Sequence, residues 1–305
     1  MTSLRRQALA AASGVVIDRV LGEPPAEAHP VAMFGRAMQA LEDRLYRDRV
    51  WAGAVHAVAG LALGVAGGGL VASTTIATAI AMAGRGLAEA ARAVGGALRG
   101  GDLDRARALL PSLVGRDPAD LDAAEIARAT VESVAENTVD AVVGPGLWAA
   151  VGGAPGALGY RAVNTMDAMV GHRSDRYRRY GRASARLDDL AGWVPARATA
   201  ALVIAVRPDR TIAVWRAVRA QAPAHPSPNA GVAEAAFAAA LDLGLGGANR
   251  YGDRVEHRPI LGTGPPAGSD DIERAVRLSL DVGAGLAAAL AAAALVAPRR
   301  LGGRR

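Results

Sequence analysis

Between Arg49 and Arg85 the chain runs for 35 residues without a formal charge, and His56 is the sole titratable group on the way. A helix needs about 20 apolar residues to cross the hydrocarbon core of a bilayer, so this stretch holds one tilted span with residues to spare. Gly67, Gly68 and Gly69 then predict a hinge, with a second span beyond it. The alternative is a pair of buried soluble helices, but such helices keep a charged face and seldom run this far without one. Composition points the same way. Hydrophobic residues make up 51% of the chain but aromatic residues only 4%, so Ala, Val and Leu dominate. That mixture favours closely packed helices over an aromatic-cored sheet.

Three further stretches read as weaker membrane candidates: Ala141 to Tyr160, Leu190 to Val206 and Val282 to Pro298, the last closed by Arg299 and Arg300. Arg197 sits inside the second, so that end belongs at an interface or a polar cavity. Ala8 to Ile17 follows Arg5 and Arg6 like the core of a signal peptide. No small-residue cleavage pattern closes it, and the segment is expected to stay. The fold expected is all-α: a polytopic integral membrane protein of about four to five membrane-embedded helices with cytoplasmic helical loops. Residues 1–305 form one membrane-embedded domain in this reading. Within it, 85–135 is a helical extramembrane subdomain, 136–260 bears the motifs and 282–298 is the C-terminal membrane helix.

All 35 basic residues are arginine, and the formal net charge is +6. Without lysine there is no Schiff-base lysine and no complete phosphate-binding P-loop. Without cysteine there is no thiol nucleophile, thiolate metal site or disulfide. Long uncharged runs separate the arginines, so the basic stripe with interleaved aromatics that marks nucleic-acid binding is missing, and no nucleic-acid partner is expected. Anionic small substrates and anionic membrane lipid account better for the charge. Arg173, Arg176, Arg178, Arg179, Arg182 and Arg186 crowd one short loop, which the positive-inside rule places in the cytoplasm. A cell-membrane location, inner or cytoplasmic, with a cytoplasm-facing site follows. A homo-oligomer is compatible with all of this.

The sequence Asn-Thr-x-Asp occurs twice, at Asn137–Asp140 and Asn164–Asp167, flanking a Gly- and Pro-rich apolar stretch that contains Pro145 and Pro155. Irregular backbone survives at membrane depth only where protein or a wet cavity satisfies it, so the stretch reads as a re-entrant or interfacial segment lining a site. Glu132, Glu136 and Asp140 recur every four residues, which on a helix lines three carboxylates along one face. Either a hard cation such as Mg²⁺ neutralises them or they form a solvated acidic face. Arg161, His172 and Arg173 add positive charge near Asn164 and Asp167, a combination suited to phosphate or Mg-nucleotide. Other polar clusters are Asp18, Arg19, Glu23 and His29; Asp188, Asp189 and Arg197; and Ser227, Asn229 and Glu234. Taken singly, each reads equally well as a helix exit, an interfacial ion pair or a capped helix start.

Together, the strings DRVLGEPP with HPV, ENTVD, GGAPGALGYRAVNTMDAMVGHR, ARLDD with PAR, and SPNAG with EAA resemble the adenosylcobinamide-phosphate synthases, the cobalamin biosynthesis CobD/CbiB family. The likeness runs in order from about residue 14 to about residue 255, with Gly192 departing where the pattern leads to Asn. It implies an integral membrane ligase that consumes ATP. Such an enzyme joins the side-chain carboxylate of (adenosyl)cobyric acid to (R)-1-amino-2-propanol or its O-phosphate, giving cobinamide or its phosphate. The corrinoid, the amino alcohol and the nucleotide are then small-molecule substrates, with Mg²⁺ beside ATP.

Chemistry assigns the roles on that basis. Glu132, Glu136 and Asp140 would serve Mg²⁺ or its water shell, and Asn137 and Asn164 would orient phosphate or corrinoid amides. Arg161, Arg173 and Arg19 would hold phosphate, while Asp167 or His172, with His29 next, would take the proton of the amine. Asn229 and Glu234 would grip substrate, and Asp188 and Arg197 would order the site. A transporter with broken helices, or a membrane sensor without catalysis, is the competing class.

Overall fold

The computed structural model describes residues 3–23, 29–115, 117–172, 174–251 and 254–296. Its order is α1 (Ser3–Leu21), α2 (Pro30–Leu45), α3 (Val50–Val71), α4 (Thr74–Ala81), α5 (Gly84–Arg99), α6 (Leu103–Leu109), α7 (Ala123–Thr138) and α8 (Gly144–Met166). Then come α9 (Arg182–Val206), α10 (Thr211–Ala220), α11 (Ala230–Leu241), the strands β1 (Leu245–Tyr251) and β2 (Arg254–Leu261), and α12 (Ser269–Val296). Four helical runs are long and apolar enough to cross a membrane: Val50–Val71, Ala123–Gly171, Arg182–Val206 and Ser269–Val296. The expected polytopic, helical architecture is therefore present. α12 starts well before Val282, and the end of the expected span at Pro298 lies outside the described residues.

Packing gathers the chain into two compact units. One comprises Met1–Ala83, Asp140–Gly192 and Leu286–Arg305, and the other Gly84–Val139 and Trp193–Gly285. Residues 85–135, expected as a helical extramembrane subdomain, fall within the second unit.

In the first unit α1, α3 and α4 surround α8. Gly60, Gly64 and Gly68 recur every four residues along α3, leaving a bare stripe against which Met166, Ala162 and the Ala154–Pro155 backbone press. Small residues at this spacing let helix backbones approach closely. The predicted hinge at Gly67–Gly69 is not one. α3 runs through these glycines and stops at Ala72, whose left-handed backbone (φ 55°) ends the helix. Ser73 then caps α4, accepting the Ile76 N–H at 3.3 Å. With 8 residues α4 is too short to cross a membrane, so the second span does not form there. The Gly/Pro break in α8 is real: Gly153 adopts φ 63° and ψ −149°, two residues before Pro155, and the chain is helical on both sides.

In the second unit α7 packs on α5, α11 and β1. It begins with a capping box in which Asp122 accepts the Glu125 N–H (2.8 Å) and Glu125 accepts the Asp122 N–H (2.9 Å). β1 and β2 pair antiparallel with Tyr251 opposite Arg254, a hairpin that the all-helical expectation did not contain. A short Arg128 hydrogen bond to the Gly246 carbonyl, with a second to that of Ala248 (2.8 Å), ties the hairpin to α7.

Candidate functional site

Each Asn-Thr-x-Asp motif runs into one π-helical turn, Val139–Val143 after the first and Asp167–Gly171 after the second. A π-turn widens the helix by one residue, re-aims the side chains beyond it and recurs at functional sites. Of the three carboxylates spaced by four, Asp140 is the second residue of the first such turn. Glu132 and Glu136 belong to α7 in the second unit, whereas Asp140, inside the π-turn, accepts a hydrogen bond from the Tyr160 hydroxyl (3.4 Å) in the first.

The first unit collects most of the predicted residues. Arg161 on α8 is the cation at the centre, within electrostatic reach of Glu23, Asp140 and Asp18. Its Nη1 donates to Asn164 Oδ1 (3.4 Å), and Asn164 Nδ2 donates to Asp188 Oδ1 (3.5 Å). Asp188 in turn feels Asp140, Asp167 and Asp189. The Asp167 carboxylate lies where a Cβ on Gly171 would stand, so a side chain there would displace it. His29 caps α2, its Nδ1 accepting the Val31 N–H at 3.1 Å. Burial first, and then the charge of Arg161, hold its pKa below the ordinary value. Two cavities adjoin these residues. An apolar one of about 340 Å³ lies among α2, α3 and α8, and a polar one of about 550 Å³ is lined by Glu23, His29, Arg36, Gln39, Arg161 and Thr165. Val31, Arg161 and Thr165 face both.

The second unit holds a separate cluster around a cavity of about 120 Å³ lined by Glu132, Ser133, Glu136, Glu234 and Arg258. Glu132 accepts the Gly246 N–H (2.8 Å). Arg258 stands 3.9 Å from Glu234 and 3.3 Å from His225 Nε2. His225 Nδ1 accepts the Ser227 N–H at 3.1 Å. Burial pushes the His225 pKa down, so its 3.7 Å approach to Glu234 is that of a neutral ring rather than an ion pair. Asn229 accepts from Arg197 (3.0 Å), and Ser227 Oγ caps the start of α11 by accepting from the Asn229 and Ala230 N–H groups. Asn137 turns back to Ser133, donating to its carbonyl at 3.0 Å.

Two predicted residues join neither cluster. Arg19 is exposed on α1. His172 is exposed and meets Tyr177 edge-on, ring centres 4.9 Å apart. There Tyr177 and Arg176 both bind the buried Glu42, at 2.9 and 3.0 Å. Arg173 lies outside the described residues.

A family model described as CobD/Cbib protein matches residues 11–279, a range that includes both clusters. The chain belongs to the CobD/Cbib family. Among its relatives, a "Cobalamin biosynthesis protein CobD" of Mycobacterium tuberculosis is 50% identical, the match covering 94% of this chain and 95% of the relative. Proteins of the same description from Chromobacterium violaceum and Geobacter metallireducens are 41% and 40% identical, covering 92% and 82% of this chain and 95% and 85% of theirs. No solved structure matches the chain. For this CobD/Cbib chain the residues missed in the sequence are Tyr160, Thr165, His225 and Arg258. Tyr160 and Thr165 each stand beside a residue already singled out, Arg161 or Asn164, and His225 opens the HPSPNAG string. Arg258 carries no local signal, since only the hairpin brings it to Glu234.

Proposed function

We propose that this protein acts in cobalamin biosynthesis as an ATP-dependent ligase. It would join the side-chain carboxylate of a cobyric acid to (R)-1-amino-2-propanol or its O-phosphate. The observation that carries the reading is the family match across residues 11–279, within which the Arg161-centred cluster assembles residues from four of the sequence blocks. A carboxylate becomes an acyl donor once its oxygen is phosphorylated or adenylated by ATP. The amine then displaces phosphate or AMP and loses a proton.

The crowded Asp140, Asp167 and Asp188 suit an ammonium group, and Asp167 takes its proton. His172, exposed and edge-on to Tyr177, is set aside as the base. Asn164 and Arg161 hold substrate oxygen.

The carboxylates suit Mg²⁺ in kind, but among the described residues no group of three or more Asp, Glu or His is placed to hold a metal ion. Glu132 is committed to the Gly246 N–H, and Glu234 stands beside Arg258. In this reading Mg²⁺ arrives with the nucleotide and keeps its waters, as it does where one or two carboxylates and substrate phosphates bind it. Glu136, lining the second unit's cavity, is the carboxylate assigned to that water shell.

The test is incubation of detergent-purified protein with cobyric acid, aminopropanol or its phosphate, and Mg-ATP, with the amide detected by mass. Glu136→Gln is expected to abolish product while leaving membrane insertion intact. Near-normal turnover in that variant would remove Glu136 from the reaction. Absence of product with every amino-alcohol donor, together with uptake into vesicles, would favour a transporter.

A further inference from the structure

α10 follows directly on α9, one of the four helical runs long and apolar enough to cross a membrane. Only Arg207 and the short helical turn Pro208–Arg210 lie between the two helices. An α9 that crosses therefore delivers α10 to the headgroup layer of whichever leaflet its end reaches. α10 itself has two faces. It packs on α11 and buries Val214 and Ala217. On the other side Ile212, Trp215 and Arg219 recur at intervals of three and four, which sets them on one helix face, with Arg216 next to them. All four are exposed, Ile212 by 65% and Trp215 by 55%. The Arg219 guanidinium lies over the Trp215 ring, 5.4 Å from its centre.

The arginines of this region divide by partner. Arg207 bonds Asp281 at 2.8 Å, and Arg210 stands 3.8 Å from Asp242. Arg216 and Arg219 form no ion pair among the described residues. The first two are matched by the protein's own carboxylates, and the second two are left for an anion from outside. A tryptophan joins an apolar body to a polar N–H edge, which suits it to the membrane–water boundary, and a guanidinium is shaped to bind phosphate.

We propose that the exposed face of α10 is an interfacial lipid-binding surface. Ile212 and Trp215 enter the boundary between headgroups and acyl chains, and Arg216 and Arg219 bind the phosphates of anionic phospholipid. Continuity with α9 and the positive sign of the two unmatched charges favour lipid over a second copy of this chain, which would bring the same two positive charges to the contact. Each arginine near an anionic surface is worth about fivefold in affinity. Lipid binding at α10 does not depend on the ligase reading.

The chain has four tryptophans, so the signal of Trp215 is read as the difference between the wild-type protein and Trp215→Phe. In nanodiscs of phosphatidylcholine and phosphatidylglycerol, lipid brominated near the top of its acyl chains should quench that signal, and aqueous acrylamide should reach it poorly. Short-chain phosphatidylglycerol added to detergent-solubilised protein should change Trp215 fluorescence saturably. Replacing both arginines, Arg216→Gln with Arg219→Gln, should weaken that binding about ten- to thirtyfold and leave the weaker response to phosphatidylcholine as it was. Ready access of acrylamide with no quenching by brominated lipid overturns the proposal, because the face is then turned to water. Protection from both quenchers that grows with the number of chains per disc also overturns it and assigns the face to a second copy. Both outcomes are read without the arginine variant. Equal phosphatidylglycerol affinity in wild type and variant would overturn the assignment of the two arginines to headgroup phosphate.

Discussion

Two buried histidines share one local motif. Nδ1 of His29 accepts the Val31 N–H and Nδ1 of His225 accepts the Ser227 N–H, each two residues on. Both pKa values are held below the ordinary one, chiefly by burial. The unfolded chain therefore binds these protons more readily than the folded one. Their contribution to stability is complete above the unfolded value of about 6.5 and is lost as the pH falls through the depressed folded values. Denaturant unfolding followed from pH 8 downward should show stability declining below about pH 6.5. His225→Gln should remove part of that slope, and adding His29→Asn should remove more. An unchanged slope in the double variant would mean that neither ring is held neutral by the fold.

At the scale of elements, glycine serves α3 by contact rather than by flexibility. A Cβ on Gly68 would run into the Ala154–Pro155 backbone of α8, while Gly67 and Gly69 face open space. Gly68→Val is therefore expected to destabilise the protein by about 1–3 kcal/mol through overpacking. Gly67→Ala and Gly69→Ala should be neutral or stabilising by up to about 1 kcal/mol, since each adds helix propensity and meets nothing. Detergent-denaturation midpoints of the three variants distinguish this packing role from a hinge, because a hinge would make all three alike. The same close approach seats α8 so that Arg161, Asn164 and Thr165 share one face near α2.

For the whole molecule, the native lack of cysteine makes topology directly measurable. Arg178→Cys places one thiol in the arginine-rich loop, whose neighbour Arg176 is bound to the buried Glu42 of α2. By the positive-inside rule it should react with a membrane-impermeant maleimide only when the cytoplasmic face is opened. Labelling from outside intact cells would reverse the orientation proposed for the chain. Each compact unit holds its own polar cluster, so a substitution in one is expected to leave the internal packing of the other intact.

Charge-free length, composition and the order of five polar strings were enough to establish helices, membrane residence and family, because these depend on local hydrophobicity and residue identity. They also brought forward Asp18, Glu23, His29, Asp140, Arg161, Asn164, Asp167 and Asp188, which the first unit gathers. Tertiary structure decided how the motifs are shared out. Glu132, Glu136 and Asp140 read as one acidic face at four-residue spacing, but Glu132 accepts the Gly246 N–H whereas Asp140 accepts the Tyr160 hydroxyl. Arg258 reaches Glu234 only through a hairpin, and Gly68 acquires its role only from the helix that presses on it. The two Asn-Thr-x-Asp motifs, alike in sequence, end in like turns, and the first unit holds the aspartate of each, Asp140 and Asp167. Spacing along a chain sets which side chains share a helix face, but which face meets which is set by packing between elements far apart in sequence.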